Sequence, residues 1–288
     1  MTWSYAQDID GATVQDDASL AFGTDYGTFK VCISECPLST KYAFDNSAYG
    51  VGSDTGYGGG AASTSTMQYG SNINSYNNLQ YHAPADLLPF GATFKAAYTP
   101  GRAGGTANDS VHSVVGDAHV GEMEQYAVTV APVDGLTLAA SYYNFGEDGN
   151  KSARQEAEGG SMSANYSIGS ISVGYGETLH APAQRMNLAD DTATTQHYEN
   201  SAYSIGFAVN ENLSVSWTEE SSEKKIKSQA SGTGATTRTD VEMEITTIDV
   251  AYSLGGATLG LSNSETTNDS YTSGDEVVET IVAITLAF

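Results

Sequence analysis

The last ten residues alternate between two side-chain characters without a break, and this period of two constrains the chain more than any other feature. From Glu279 to Phe288, one set is Thr280, Val282, Ile284, Leu286 and Phe288, and the other is Glu279, Ile281, Ala283, Thr285 and Ala287. Successive side chains of an extended strand point to opposite sides, so each set makes one face. The pattern returns along the chain. Tyr203, Ile205, Phe207 and Val209 alternate with Ala202, Ser204, Gly206 and Ala208. Leu213, Val215 and Trp217 alternate with Ser214, Ser216 and Thr218, and Ile248, Val250, Tyr252 and Leu254 with Asp249, Ala251 and Ser253. With the shorter instances upstream, from Trp3 and Tyr5 onward, there are fourteen strands and thirteen connections.

The second face decides what kind of sheet this is. A soluble β-sandwich buries its apolar face and covers the other with lysine and glutamate. Here the second face is mostly Ser, Thr, Gly and Ala. Small polar side chains suit a water-filled lumen, which leaves the apolar face to meet lipid. Composition agrees: 31 Gly and 18 Tyr against only 11 Lys plus Arg favour short strands and polar loops over long helices. Tyr5, Tyr98, Tyr126, Tyr142, Trp217 and Tyr252 fall near strand ends, where aromatic girdles mark the membrane interfaces. No apolar run of about 18 residues is present to cross a bilayer as a helix. Mean hydropathy is −0.28, and alternating strands give such a value even inside a membrane.

The connections alternate as well. Gly23–Tyr26, Ala83–Gly91, Pro132–Gly135, Gly169–Ser170, Asn210–Asn212 and Gly255–Gly256 are short. Between them lie long ones: Asp8–Val14, Glu35–Ser75, Pro100–Val120, Gly146–Glu158, His180–Gln196, Ser221–Thr239 and Thr266–Glu276. Tight turns at one end and long loops at the other describe an up-and-down membrane barrel. The expected fold is therefore an all-β, antiparallel, up-and-down transmembrane β-barrel, forming one domain over residues 1–288.

Charge narrows the partners. With 35 acidic and 11 basic side chains the formal net charge is −24, which repels nucleic acid and anionic headgroups and attracts cations. Two cysteines, Cys32 and Cys36, are too few for a disulfide framework.

These residues resemble a bacterial outer-membrane general porin, in particular the alphaproteobacterial type. The terminal strand ending in Phe288 is similar to the C-terminal signature of outer-membrane proteins. The stretch Asp17 to Val31 resembles the strand–turn–strand leading into the porin constriction loop, and Asn78-Leu79-Gln80-Tyr81 with Pro84-Ala85-Asp86 resembles the strand after it. The resemblance implies an outer-membrane homotrimer through which small hydrophilic solutes diffuse passively, with no catalytic residues. It also implies sixteen strands with the constriction loop after the fifth, whereas the longest loop here follows the third visible strand. The expectation is thus a barrel with fourteen strands visible of sixteen, the first hairpin and the leader being absent from this sequence, with a complete fourteen-stranded barrel as the alternative.

Pore selectivity is set at the narrowest point by diameter and charge. Residues 35–75 are Gly- and Ser-rich and too long for an ordinary surface loop, so they are expected to fold into the lumen. Glu35, Asp45 and Asp54 would form an acidic rim there. Lys30 and Lys95 have lumen-facing parity on strands flanking that loop, and would oppose the acids with a basic wall. Together with the net charge this predicts mild cation selectivity. His82 shares the lumen parity; His112, His119, His180 and His197 are placed in loops. A bridge between Cys32 and Cys36 would staple the base of the loop, with two free thiols as the alternative. No metal-ligand spacing occurs and no cofactor is expected, although acidic loops such as Asp190-Asp191 could hold calcium loosely. Two other functions fit long external loops on a barrel: an adhesin or receptor, and a barrel hydrolase. The hydrolase needs a Ser–His or acid–His pair at one rim, and the sequence offers no recognisable one.

Overall fold

The computed structural model describes residues 1–8, 14–33, 36, 38, 67–70, 72–73, 77–84, 87–100, 122–146, 153–155, 157–182, 184–185, 194–227 and 240–286. Of residues 3–8, 14–17, 153–155, 184–185, 194 and 227 only the backbone is described. The early strands are β1 (Thr2–Asp8), β2 (Val14–Thr24), β3 (Gly27–Ile33), β4 (Asn78–His82) and β5 (Thr93–Thr99). Next come β6 (Met123–Val133), β7 (Leu136–Phe145), β8 (Ala153–Gln155), β9 (Glu158–Ile168), β10 (Ile171–Ala181) and β11 (Gln184–Arg185). The last are β12 (Thr194–Ala208), β13 (Leu213–Lys227), β14 (Val241–Leu254), β15 (Ala257–Thr267) and β16 (Glu276–Leu286). Fourteen of them form one sheet in sequence order, while β8 and β11 pair as a separate ribbon.

Every pairing in the large sheet is antiparallel, as in a series of hairpins. The six short connections fall where turn residues predict them. Gly169 and Gly255 open two-residue turns at φ +59° and +61°, a left-handed conformation that a tight hairpin requires and that glycine adopts without a Cβ clash. In the 210–212 turn the Asn210 side-chain oxygen accepts from the backbone N–H of Asn212 (2.9 Å) and Leu213 (3.0 Å), so the turn satisfies its own donors.

The strands run further than their apolar alternation. β13 continues to Lys227, past the Ser221 where the apolar pattern stops, and β12 begins at Thr194. Cross-strand pairs such as Glu199↔Glu223 and Glu223↔Glu242 carry the ladder on. Backbone pairing continues where side chains no longer report which side is lipid. Two histidines assigned to loops from sequence, His180 and His197, are therefore strand residues in β10 and β12.

The apolar parity faces outward. Ile205, Phe207, Ile248, Leu261, Val282 and Ile284 are all exposed, the last two at 67%. Left in water, such a band would be costly at about 25 cal/mol per Å²; in hydrocarbon it costs nothing. Tyr98, Tyr126, Tyr142, Trp217 and Tyr252 share the outward parity with these strand residues.

The packed interior is built by the long connection between β3 and β4. Its Leu38 and Ile73 pack with Ala97, Met123, Ala127, Tyr143, Phe145 and Ala157. Its Met67 and Tyr69 pack with Ala202, Met243 and Ile245. The Ile73 N–H donates to Gln125 Oε1 on β6 (2.8 Å), and Tyr69 Oη donates to Glu220 Oε1 on β13 (2.5 Å). Along the wall, β6 to β13 is five strand steps, roughly 24 Å at the usual spacing. From residue 69 to residue 73 the backbone reaches at most about 14 Å, and the Tyr69, Glu220 and Gln125 side chains bridge the rest. The described part of the segment thus lies against the inward side of the sheet and touches strands five steps apart.

Candidate functional site

The inward face carries the small polar parity. Ser204, Ser216, Thr218, Ser222, Thr247, Ser262 and Ser264 all point inward and are buried. One cross-strand row on this face has a different composition. Register pairs run Lys30↔Gln80, Gln80↔Ala97, Ala97↔Gln125 and Gln125↔Tyr143. They continue Tyr143↔Gly159, Gly159↔His180, His180↔Tyr198 and Tyr198↔Lys224. Nine strands thus contribute one residue each to a single line around the wall.

This row seats the inserted segment. Gln80 Nε2 donates to the carbonyl of Cys36 (2.7 Å), and Gln125 takes the Ile73 N–H. Tyr143 Oη is 2.5 Å from His180 Nδ1, and His180 stacks on Tyr198 with ring centroids 5.9 Å apart and planes at 9°. Tyr198 meets Tyr271 at 5.3 Å, and Lys224 Nζ lies 5.6 Å from the Tyr271 ring. The Gln68 N–H donates to Tyr271 Oη (3.1 Å), while Asn200 Nδ2 donates to the Gln68 carbonyl (3.1 Å). Burial pushes the Tyr271 phenol up to about 12, because the anion would lose its water.

Two glycines make the close fit. A Cβ on Gly70 would stand 2.7 Å from Tyr143 Oη, and a Cβ on Gly159 would collide with Tyr143 and with the Leu179 carbonyl. Nothing larger than hydrogen fits at either place.

A second stretch of wall has another character. Lys30 on β3 and Lys95 on β5 both face inward and are half-buried, as the parity predicts, and His82 on β4 is the register partner of Lys95. Lys95 Nζ donates to the Leu38 carbonyl (3.2 Å). Among the described residues neither lysine lies within ion-pair distance of a carboxylate. The Gln80 amide gives its N–H to Cys36, so its oxygen faces His82 Nε2 (2.8 Å) and that nitrogen carries the hydrogen. Cys32 shares the inward parity and is joined to Cys36 in a disulfide with Cα atoms 6.0 Å apart. The acids expected at the rim, Glu35, Asp45 and Asp54, lie outside the described residues, as do Asp190 and Asp191.

The inward carboxylates of the described wall are others. Glu220 and Asp249, each 1% exposed, lie on β13 and β14, where Glu220 accepts from Tyr69 and Asp249 from Ser216 Oγ (3.4 Å). Parity alone could have placed both in the lumen, since they continue the small-polar series Ser216-Thr218 and Ala251-Ser253. Many of the remaining acids face outward beyond the aromatic band. Tyr98 donates to Glu122 (2.7 Å), Tyr126 to Glu124 (2.9 Å), Tyr142 to Glu158 (3.1 Å) and Tyr175 to Glu177. These four glutamates place negative charge on the outside rim. Among the described residues no three His, Cys, Asp or Glu side chains come together as a metal site.

The architecture is that of solved porin barrels. An outer-membrane protein of Vibrio cholerae, a loop-deletion variant of OmpT, superposes with a TM-score of 0.56 at 16% identity, covering 97% of this chain and 82% of that one. The anion-selective porin of Comamonas acidovorans gives 0.59 at 12% identity, with 94% and 77% covered. OmpF of Salmonella typhi gives 0.53 at 14% identity, with 98% and 94% covered. No family model matches the sequence, and no curated protein is similar enough to be paired with it. The chain has the fold of an outer-membrane porin: an antiparallel, up-and-down transmembrane β-barrel.

Proposed function

We propose that the chain is a non-enzymatic outer-membrane porin that lets small hydrophilic solutes and ions diffuse passively through its lumen. One observation carries the reading. Residues 67–70 and 72–73 lie on the inward side of the sheet, held by inward side chains of β6, β12 and β13. A wall facing two solvents needs no such inserted segment for stability, but a pore needs one to set its diameter. In this reading residues 1–288 act as one barrel domain in the Gram-negative outer membrane, and residues 35–75 are its constriction loop. Lys30 and Lys95 form the basic wall, facing Glu35, Asp45 and Asp54.

Mild cation selectivity belongs to the same proposal, supported by the net charge of −24, which concentrates cations around the barrel. So does a homotrimer; OmpT of Vibrio cholerae, a similar fold, has a trimer form. The alphaproteobacterial affiliation rests on the Asp17–Val31 motif. Planar-bilayer recording tests the whole. The purified protein should insert in discrete ohmic steps, and a KCl gradient should give a reversal potential on the cation side. An absence of steps would overturn the pore; an anion-side potential would overturn the selectivity alone.

A further inference from the structure

We propose that a groove on the outward surface of the large sheet, across β7 to β14, docks a membrane-resident amphiphile with one hydrocarbon chain and a cationic ammonium head. The chain lies at the apolar end of the groove and the head at its acidic end. The inference goes beyond the pore reading and stands on the membrane placement of the barrel alone.

The groove follows from register. One outward row runs Tyr142↔Gly160, Gly160↔Leu179, Leu179↔Glu199, Glu199↔Glu223 and Glu223↔Glu242. The row beside it runs Met162↔Glu177, Glu177↔Ser201 and Ser201↔Ser221. Gly160 has no side chain and Ser201 and Ser221 have short ones, so the outer face is indented between bulkier neighbours. The indentation has a volume of about 760 Å³, inside the range of roughly 300–1,000 Å³ in which small molecules are held. From Gly160 to Glu242 it crosses four strand steps, roughly 19 Å at the usual spacing.

Its two ends differ. On β7 to β10 the exposed Tyr142, Met162 and Leu179 present apolar surface, which a hydrocarbon chain covers. On β12 to β14 Glu199, Glu223 and Glu242 stand on neighbouring strands in one line. Five glutamates line the whole groove, and no lysine, arginine or histidine does. Lys225 and His197, which pair with Glu223 (2.5 Å) and Glu199 (2.9 Å), lie one outward position further along their strands and leave the balance negative. Charge of that sign attracts a positive head and disfavours the phosphate or carboxylate of an anionic lipid. The acids are strung along the rim: among the described residues no three come together as a metal site. An ammonium, whose N–H groups each take a separate acceptor, suits that spacing better than a bare metal ion. Depth agrees as well. Tyr175 and Tyr203, with ring centroids 5.0 Å apart, hold the next outward positions toward the hydrocarbon, where aromatic rings mark the boundary between tails and heads.

The test uses the intact protein in dodecyl maltoside micelles, titrated calorimetrically with dodecylamine against protein-free micelles. Native mass spectrometry counts the bound molecules. A single dodecylamine per barrel should bind saturably, and dodecanoate should not. Ser201→Leu fills the groove without changing its charge. It should abolish the binding while the barrel keeps its heat-resistant migration on a gel. Glu199→Gln/Glu223→Gln should weaken the binding about tenfold, the worth of one hydrogen bond to a charged group. Glu265→Gln removes an exposed outward acid of β15 that does not line the groove, and should leave the binding unchanged. Binding that survives Ser201→Leu, or that Glu265→Gln weakens as much as the double variant does, would assign it to diffuse negative charge and overturn the proposal. Tighter binding of dodecyl phosphate with calcium than of dodecylamine would overturn it in favour of a metal-bridged anionic lipid. So would a titration that matches protein-free micelles.

Discussion

Two arcs of the same inner wall do different work. From β6 to β13 the inward residues Gln125, Tyr143, His180, Asn200 and Glu220 are buried, and each is hydrogen-bonded to the inserted segment or packed beneath it. From β3 to β5 the inward Lys30, His82 and Lys95 remain half-exposed, and the two lysines meet no carboxylate among the described residues. Glu220 is buried in the seat, whereas Lys30 and Lys95 keep part of their surface open even though Lys95 also holds the Leu38 carbonyl. An inward charge is therefore not automatically a pore charge. It contacts a passing solute only where the segment leaves it uncovered; a covered carboxylate keeps its charge but acts on the solute from a distance.

Substitutions should separate the arcs. The largest effect is expected at Gly159, where Gly159→Val drives a side chain into Tyr143 and the Leu179 carbonyl. Overpacking of this kind costs about 3 kcal/mol, seen as loss of heat-resistant migration on a gel together with altered conductance. Raising the pH should have a smaller effect, confined to alkaline solution. Tyr271 titrates near 12 in the folded protein against about 10 for an unperturbed phenol. Its folded value is raised, so its contribution is complete below about pH 10 and is lost as pH climbs through the folded value. Phenolate absorbance should show a late step that Tyr271→Phe removes. The smallest change in stability, about 1 kcal/mol for the lost Lys95 bond to the Leu38 carbonyl, is expected for Lys30→Gln/Lys95→Gln. That variant should still move the reversal potential further toward cations. If it instead unfolded the barrel, or left selectivity untouched, the contrast between the arcs would collapse.

The parity of each strand was legible in the sequence because the two solvents select opposite residue types at every second position. The same signal located all six short turns, with glycine or asparagine where the backbone demands it. It failed at the outer ends of the strands. There neither side meets hydrocarbon, so Glu219, Ser221, Glu223 and Lys225 carry no alternation while the ladder continues. His180 was misplaced in a loop for this reason, and with it went the aromatic part of the seat. Lys30, His82 and Lys95 were found because they interrupt an otherwise uncharged inward series.

What the sequence alone determines is local: which side of a strand is greasy, where the chain turns, and that two cysteines stand at the mouth of the longest connection. Which inward residues belong together was decided by register. Gln80, Gln125, Tyr143, His180, Tyr198 and Lys224 come from six strands spread over half the chain, and only the hydrogen-bond ladder sets them in one line. A period of two repeats identically at every step along a strand, so it holds no information about the neighbour each residue will face.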